Sequence, residues 1–114
     1  DVVATSRDGR DGTVAFDVTK VNVASTVQDL AKDCSAVVST IGTIGTPEDT
    51  TINGASALAA NGAKAAGVKH FVYISVAPEV REWAKDFEFL QNYMEGKVFS
   101  EKSIATYFSG GSDD

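Results

Sequence analysis

The chain has 114 residues, of which 43% are hydrophobic, 23% charged and 9% aromatic. This profile is typical of one soluble globular domain, or a piece of one, and excludes a disordered tail, a collagenous chain and a multidomain protein. Ten basic residues against sixteen acidic ones give a net charge of −6. Because a surface of that sign repels nucleic-acid phosphates and anionic lipids, the composition argues against nucleic acid and membranes as partners.

The cysteine content and the apolar runs indicate where such a chain works. Cys34 is the single cysteine, so it has no partner for an internal disulfide or a metal site, and a reducing, intracellular compartment is predicted. No stretch approaches the roughly 20 apolar residues that a membrane-spanning helix needs. The chain starts at Asp1 and leads directly into an apolar run, from which we expect that a segment upstream is missing.

Two short β-branched runs open the chain, and a helix follows them. Residues 2–6 and 13–18 are predicted strands, joined by a Gly-rich connection in which Asp11-Gly12 could alternatively turn a hairpin. Asn22 or Ser25 can then cap a helix with apolar positions at helical spacing, which we expect to end near residues 33–34.

The middle of the chain alternates strand and helix. The unbroken run at 36–41 is typical of a strand buried on both faces, as in parallel sheets with helices above and below. Thr46 is the predicted cap of an Ala-rich helix over 49–66, with Gly67 as its natural end. Among its buried candidates we count Leu58, Ala59 and Ala63.

A further strand is predicted at 71–75, and one or two helices follow from residue 80 onward. Residues 1–108 then form one domain, and 109–114 form a flexible tail or loop without packing residues. Strands alternating with helices at this pitch predict an α/β fold with a doubly wound parallel sheet.

Ligands of such sheets bind at the carboxyl ends of the strands, so the residues that follow each strand are the candidates. Arg7 follows the first strand, where a guanidinium suits the 2′-phosphate of an adenosine ribose, although a solvated loop arginine explains it equally well. Asp17 and Val18 follow the second strand and could contact an adenine ring. After the third strand, Thr40, Ile41 and Gly42 begin a run of small residues that lets a ligand approach the backbone.

The last candidates lie near the fourth strand and the helix after it. Ser75 ends that strand. Tyr93 and Lys97 are four residues apart and share a helix face, so the ammonium can lower the pKa of the phenol and reach a ribose. This makes Tyr93 a candidate proton donor to a carbonyl that receives hydride. The alternative is an amphipathic helix with a half-buried tyrosine and a solvated lysine.

These segments together resemble the short-chain dehydrogenase/reductase superfamily, in its extended or atypical NAD(P)-binding Rossmann branch. The resemblance covers nearly the whole chain up to the tail. Its most specific part is the block INGASALAANGAKAAGVKHFVYIS, and it is also carried by VVATSRDG, AFDVT, CSAVVSTIG and Tyr93-Met94-Glu95-Gly96-Lys97 followed by Ser100-Glu101. Within the superfamily the chain is most similar to the nucleotide-binding accessory subunit of respiratory complex I, quinone-biosynthesis accessory proteins and plastid relatives.

The resemblance implies a role for each candidate. Arg7 would contact the adenosine phosphate, and Asp17 with Val18 would flank the adenine. Residues 40–42 would line the nicotinamide-side ribose, with Tyr93 and Lys97 as the catalytic pair. NADP is then the expected cofactor, with NAD as the alternative.

Two departures from the family pattern limit this reading. The Gly-rich fingerprint and the N-terminal strand that carries it are missing, and with them the expected pyrophosphate cradle. In extended members the catalytic hydroxyl usually belongs to the second serine of an Ile-Ser-Ser run, and Val76 takes its place here. Ser75 is the neighbouring hydroxyl, and strand alternation predicts that it points to the other face.

Two main functions remain open at this stage. One is an NADP-dependent oxidoreductase, or an epimerase, that uses the Tyr/Lys pair for proton transfer. The other is a catalytically weak nucleotide-binding accessory or scaffold subunit with protein partners in an organellar complex. Mitochondrion, chloroplast and cytoplasm all stay open as locations. A redox-sensing dinucleotide binder is a third reading without a discriminating residue.

Overall fold

The computed structural model describes residues 2–75 and 77–108. Val76 and the predicted tail at 109–114 lie outside these ranges. The elements in chain order are β1 (Thr5–Ser6), β2 (Val14–Ala15), α1 (Val23–Ala31), β3 (Ala36–Ser39), α2 (Asp49–Ala65), β4 (His70–Tyr73), α3 (Pro78–Ala84), a 3₁₀ turn (Glu88–Leu90) and α4 (Gln91–Phe108). The predicted order of strands and helices is confirmed, although every strand is shorter than predicted.

The strands pair in parallel, as predicted for this class. β1 pairs with β2 through Thr5 opposite Val14, and β3 pairs with β4 from Ala36 opposite His70 onward. The parallel pairing of β1 with β2 shows that the alternative of a hairpin was wrong. In the part of the chain that the structure describes, the two pairs form two separate sheets, so a single doubly wound sheet stays a prediction.

One face of the β3–β4 sheet packs against helices. Val37 and Phe71 point into a core that α1, α2 and α4 complete. On the opposite face, Val38 is 64% and Val72 49% exposed. The prediction that the strand at 36–41 is buried on both faces was therefore wrong, because the described helices that contact this sheet cover one side of it.

The long helix α2 lies between α1 and α4, and its small residues permit the close contact. A Cβ added at Gly62 would lie 2.1 Å from the carbonyl oxygen of Ala24 in α1. Ala59 and Ala63 are buried as predicted, whereas Leu58 is 46% exposed. The prediction for Leu58 was wrong because the faces of α2 that touch its neighbours carry alanine, glycine and short polar residues instead.

The helix ends follow local rules, with one exception. Asn22 caps α1, since its Oδ1 accepts from the backbone N of Ser25 at 3.0 Å. Gly67 follows α2 with a φ of +87°, a conformation that suits glycine at a helix end. The predicted cap at Thr46 was wrong in detail, because α2 begins at Asp49, whose own carboxylate binds the preceding turn. Among the described helices, none has the length and apolar character to cross a membrane.

Candidate functional site

The site is built where β3 and β4 end, and Lys97 of α4 is its centre. The Lys97 side chain is only 6% exposed. Its Nζ donates to the backbone carbonyl oxygens of Ile41 and Ile74, each at 3.3 Å. Because these carbonyls follow the two parallel strands, α4 places a buried ammonium group at the carboxyl edge of the β3–β4 sheet.

Two tyrosine rings lie close to this ammonium group. The Nζ of Lys97 is 5.1 Å from the ring centroid of Tyr73 and 5.6 Å from that of Tyr93. Within residues 2–75 and 77–108, Lys97 forms no ion pair. Burial lowers the pKa of Lys97, and the negative charge of Glu101 partly opposes that shift. The cation is thus held by carbonyl oxygens and aromatic rings rather than by a carboxylate.

The phenols keep their protons in this environment. Burial raises the pKa of Tyr93 above its usual value of 10.0 and raises the pKa of Tyr73 to about 12. The prediction that the ammonium lowers the pKa of Tyr93 was wrong for this structure, since desolvation of the phenolate is the larger effect. Tyr93 is therefore protonated at neutral pH, the form that a proton donor needs.

A buried amide fixes the loop that follows β3. Asn53 of α2 has no solvent exposure. Its Nδ2 donates to the backbone carbonyls of Thr43 at 2.7 Å and Asp49 at 2.8 Å, and its backbone carbonyl accepts from Ser100 of α4 at 2.7 Å. Asn53 thus joins the loop, α2 and the helix that carries Lys97.

The carboxylate of Asp49 holds the other end of the same loop. It is 1% exposed and accepts from the backbone N of Gly45 at 2.7 Å and from both the N and the Oγ1 of Thr46, at 3.0 and 2.7 Å. Burial alone would raise the pKa of Asp49, but these hydrogen bonds outweigh it and hold the pKa below its usual value of 3.8. The loop is therefore tied to α2 at both ends.

Replacing Asp49 by asparagine should lower the free energy of unfolding at pH 7 by about 1–2 kcal/mol, because charge-assisted hydrogen bonds are lost. A carboxyl whose pKa is depressed in the folded state stabilises above its unfolded pKa of 3.8 and loses that contribution as the pH falls. Urea denaturation should show that the difference from the parent shrinks at acidic pH. The exposed Asp33→Asn variant is the control, and a difference independent of pH would contradict this account.

Glycines leave room around the ammonium. A Cβ added at Gly42 would lie 3.1 Å from Lys97 Nζ and 3.2 Å from Asn53 Oδ1. A Cβ at Gly96, the residue before Lys97, would lie 2.6 Å from the Cβ of Asn53. Gly96 thus lets α4 pack closely on α2, and Gly42 keeps the loop backbone next to Lys97.

The hydroxyl of Ser75 forms its hydrogen bond away from the Tyr93 and Lys97 pair. Its Oγ donates to the carboxylate of Glu101, one helical turn beyond Lys97. The same carboxylate oxygen accepts from Arg81 of α3 at 2.6 Å. These contacts hold α3 and the end of β4 against α4. Ile74, the residue before Ser75, thereby places its backbone carbonyl next to Lys97.

The remaining candidates lie at the ends of the other sheet. Arg7 follows β1 and is exposed, and Asp17 with Val18 follows β2 as predicted. The Oδ1 of Asp17 accepts from the backbone N and Oγ1 of Thr19 at 2.9 and 2.6 Å, and these bonds lower the pKa of Asp17, with smaller contributions from Lys20 and Arg7. The described contacts do not link this group to Lys97.

A nicotinamide dinucleotide fits the chemistry of these residues. Among the described residues Lys97 has no acidic partner for its ammonium group, and the small residue Gly42 beside it lets a ligand approach the backbone. Lys97 with residues 40–42 would hold the nicotinamide end, and Arg7 with Asp17 the adenosine end. Within the described ranges no group of three or more histidine, cysteine or acidic residues is placed to hold a metal ion.

Parallel strands with ligand-suited residues at their carboxyl ends define a mixed α/β protein with a partial Rossmann-like fold. A family model described as NAD(P)H-binding matches residues 3–109. The chain therefore belongs to this NAD(P)H-binding family, and its cofactor is a nicotinamide dinucleotide. Comparisons with curated proteins and with solved structures found no match.

Sequence reasoning missed three residues of this site. Tyr73, Asn53 and Asp49 were not among its candidates. Tyr73 lies inside the predicted strand at 71–75, and it is at the sheet edge because the observed β4 ends there. Asn53 and Asp49 carried a weaker signal, as polar residues on the first turns of a helix that is otherwise rich in alanine. Apart from the Thr46 hydroxyl, which donates to Asp49, the partners of these two side chains are backbone atoms, which no side-chain pattern reveals.

Proposed function

We propose that this protein is an NADP-preferring oxidoreductase in which Tyr93 donates a proton and Lys97 positions the cofactor ribose. The observation that carries the proposal is the buried ammonium of Lys97, held at the carboxyl ends of β3 and β4 by the carbonyls of Ile41 and Ile74. A protonated phenol beside a cation at the ends of two parallel strands offers the proton and the positive charge that reduction of a carbonyl by a hydride donor uses.

A bound NAD(P)H supplies the hydride in this chemistry. Tyr93 carries its proton at neutral pH and gives it to the oxygen of the carbonyl that is reduced. The ammonium of Lys97, whose Nζ is 5.6 Å from the ring centroid, then offsets part of the cost of burying the phenolate that remains. Burial of Lys97 strengthens this interaction by excluding water.

A catalytically weak accessory role is the second candidate. It is supported by the hydrogen bonds of the site: Ser75 is bound to Glu101, and within the described part of the chain Tyr93 Oη has no hydrogen-bond partner. A protein of this kind would bind the dinucleotide and lack turnover.

The decisive experiment is a titration of the chain with NADPH and NADH, followed by a turnover assay on a panel of carbonyl compounds. Lys97→Met should weaken cofactor binding about tenfold or more, since hydrogen bonds to a charged group contribute about 1.5–3 kcal/mol. The exposed Lys102→Met on the same helix should bind like the parent. Turnover in the parent supports the enzyme, binding without turnover supports the accessory role, and no binding would overturn both.

The preference for NADP depends on Arg7. Arg7→Ala should weaken NADPH binding about tenfold and leave NADH binding unchanged, because only NADPH has the 2′-phosphate that a guanidinium binds. Arg10→Ala changes an arginine of the same connection and is the matched control. Equal losses for both cofactors, or a parent that prefers NADH, would refute this assignment.

A further inference from the structure

Three aromatic side chains, in α3 and in the segment that leads to α4, form a surface that the site above does not use. The rings of Trp83 and Phe87 have centroids 4.5 Å apart, and those of Phe87 and Phe89 are 6.1 Å apart. Trp83 is 56% and Phe89 63% exposed. We call these three residues the aromatic surface. Exposed, adjoining aromatic rings are characteristic of binding interfaces.

The aromatic surface is supported by a buried apolar cluster and by hydrogen bonds to the backbone. Phe87 packs against a small buried cluster of Ala84, Leu90 and Met94, and Gln91 donates to the backbone carbonyls of Ala84 and Phe87 at 3.0 and 2.9 Å. The exposed rings are therefore presented on a folded segment. Such a preorganised surface loses less conformational entropy on binding.

The charges along the same segment are predominantly negative. Residues 79–89 contain four acidic and two basic side chains. Both cations are engaged, since Arg81 pairs with Glu101 at 2.6 Å and Lys85 with Glu82 at 2.9 Å. Within residues 2–75 and 77–108 the other three carboxylates form no ion pair; they are Glu79, Asp86 and Glu88.

We propose that the aromatic surface docks a basic amphipathic segment of a partner protein. Apolar side chains of that segment would cover Trp83 and Phe89, and its lysines or arginines would face Glu79, Asp86 and Glu88. A second copy of this chain is disfavoured, because it would bring the same unpaired carboxylates together within a molecule of net charge −6. Anionic membranes are disfavoured for the same reason.

Trp83 is the single tryptophan, so its fluorescence reports on the aromatic surface directly. The probe is a synthetic helix of about 18 residues, or five turns, with leucine on one face and lysine on the other. We expect saturable binding with a blue shift of Trp83 emission, weakened by salt. A peptide with glutamate in place of lysine should not bind.

Variants separate this docking site from general attraction to an acidic protein. Phe89→Ala should weaken binding about tenfold, as expected for an interface hot spot, whereas Val38→Ala, at another exposed apolar position, should not. Glu79→Gln/Glu88→Gln should weaken binding more than the charge-matched Asp29→Asn/Asp33→Asn pair. Circular dichroism checks that each variant folds, and the surface charge variants test the proposal even if Phe89→Ala fails to fold.

Several outcomes would overturn the proposal. Equal weakening by the two charge-matched pairs would show nonspecific attraction. A dimer of the parent that dissociates in Phe89→Ala would show that a second copy of the chain occupies the aromatic surface. A blue shift with anionic phospholipid vesicles but not with the peptide would show that the surface binds membranes. None of these results bears on the cofactor titration, so the docking surface and the dinucleotide site are tested independently.

Discussion

Replacing Tyr93 by phenylalanine is expected to lower turnover of a carbonyl substrate by about 10²- to 10⁴-fold, the usual contribution of a positioned proton donor. The change removes one hydroxyl and keeps the ring whose centroid is 5.6 Å from Lys97 Nζ. Cofactor affinity should therefore be unchanged. Steady-state kinetics with the best substrate of the panel, together with the cofactor dissociation constant, measures both effects.

The pH profile gives this prediction a second readout. Because burial raises the pKa of Tyr93 above 10.0, reduction should stay active up to alkaline pH and decline only where the phenol loses its proton. Tyr107→Phe, a tyrosine on the same helix, is the control and should keep parental turnover. Parental turnover in Tyr93→Phe would show that Tyr93 is not the proton donor.

Replacing Gly96 by valine is expected to lower the free energy of unfolding by about 3 kcal/mol or more, because a well-packed contact cannot accept the added atoms. Even a single Cβ would lie 2.6 Å from the Cβ of Asn53 and 2.8 Å from the backbone oxygen of Thr50. Both helices must then separate. Urea denaturation should show Gly96→Ala with an intermediate loss.

The same substitution should also displace Lys97 in the cofactor site. Gly96 precedes Lys97, so a shift of α4 away from α2 moves the ammonium away from the Ile41 carbonyl, and we expect weaker cofactor binding in whatever fraction stays folded. Ala105→Val places the same side chain at an exposed position of α4 and should cost far less. Similar losses for both variants would mean that valine disfavours the helix itself rather than its packing.

The sequence by itself determined the order of elements and the residues that follow each strand. The caps at Asn22 and Gly67 and the apolar runs of the strands are local signals, since each depends on side chains a few positions apart. For the same reason the spacing of Tyr93 and Lys97 placed both on α4 correctly. The family match over residues 3–109 agrees with the NAD(P)-binding class that the resemblance implied.

Only the tertiary structure decided the environment of those residues. Whether Lys97 meets a carboxylate or two carbonyls depends on how α4 crosses α2. That crossing depends on the contact of Gly96 with Asn53 and Gly54, and Gly96 is distant in sequence from both. The raised pKa of Tyr93 has the same origin, because desolvation depends on the surrounding packing and not on the neighbouring sequence. Leu58 was misassigned for a related reason: helical periodicity identifies a face, but the neighbouring helices determine which face is covered.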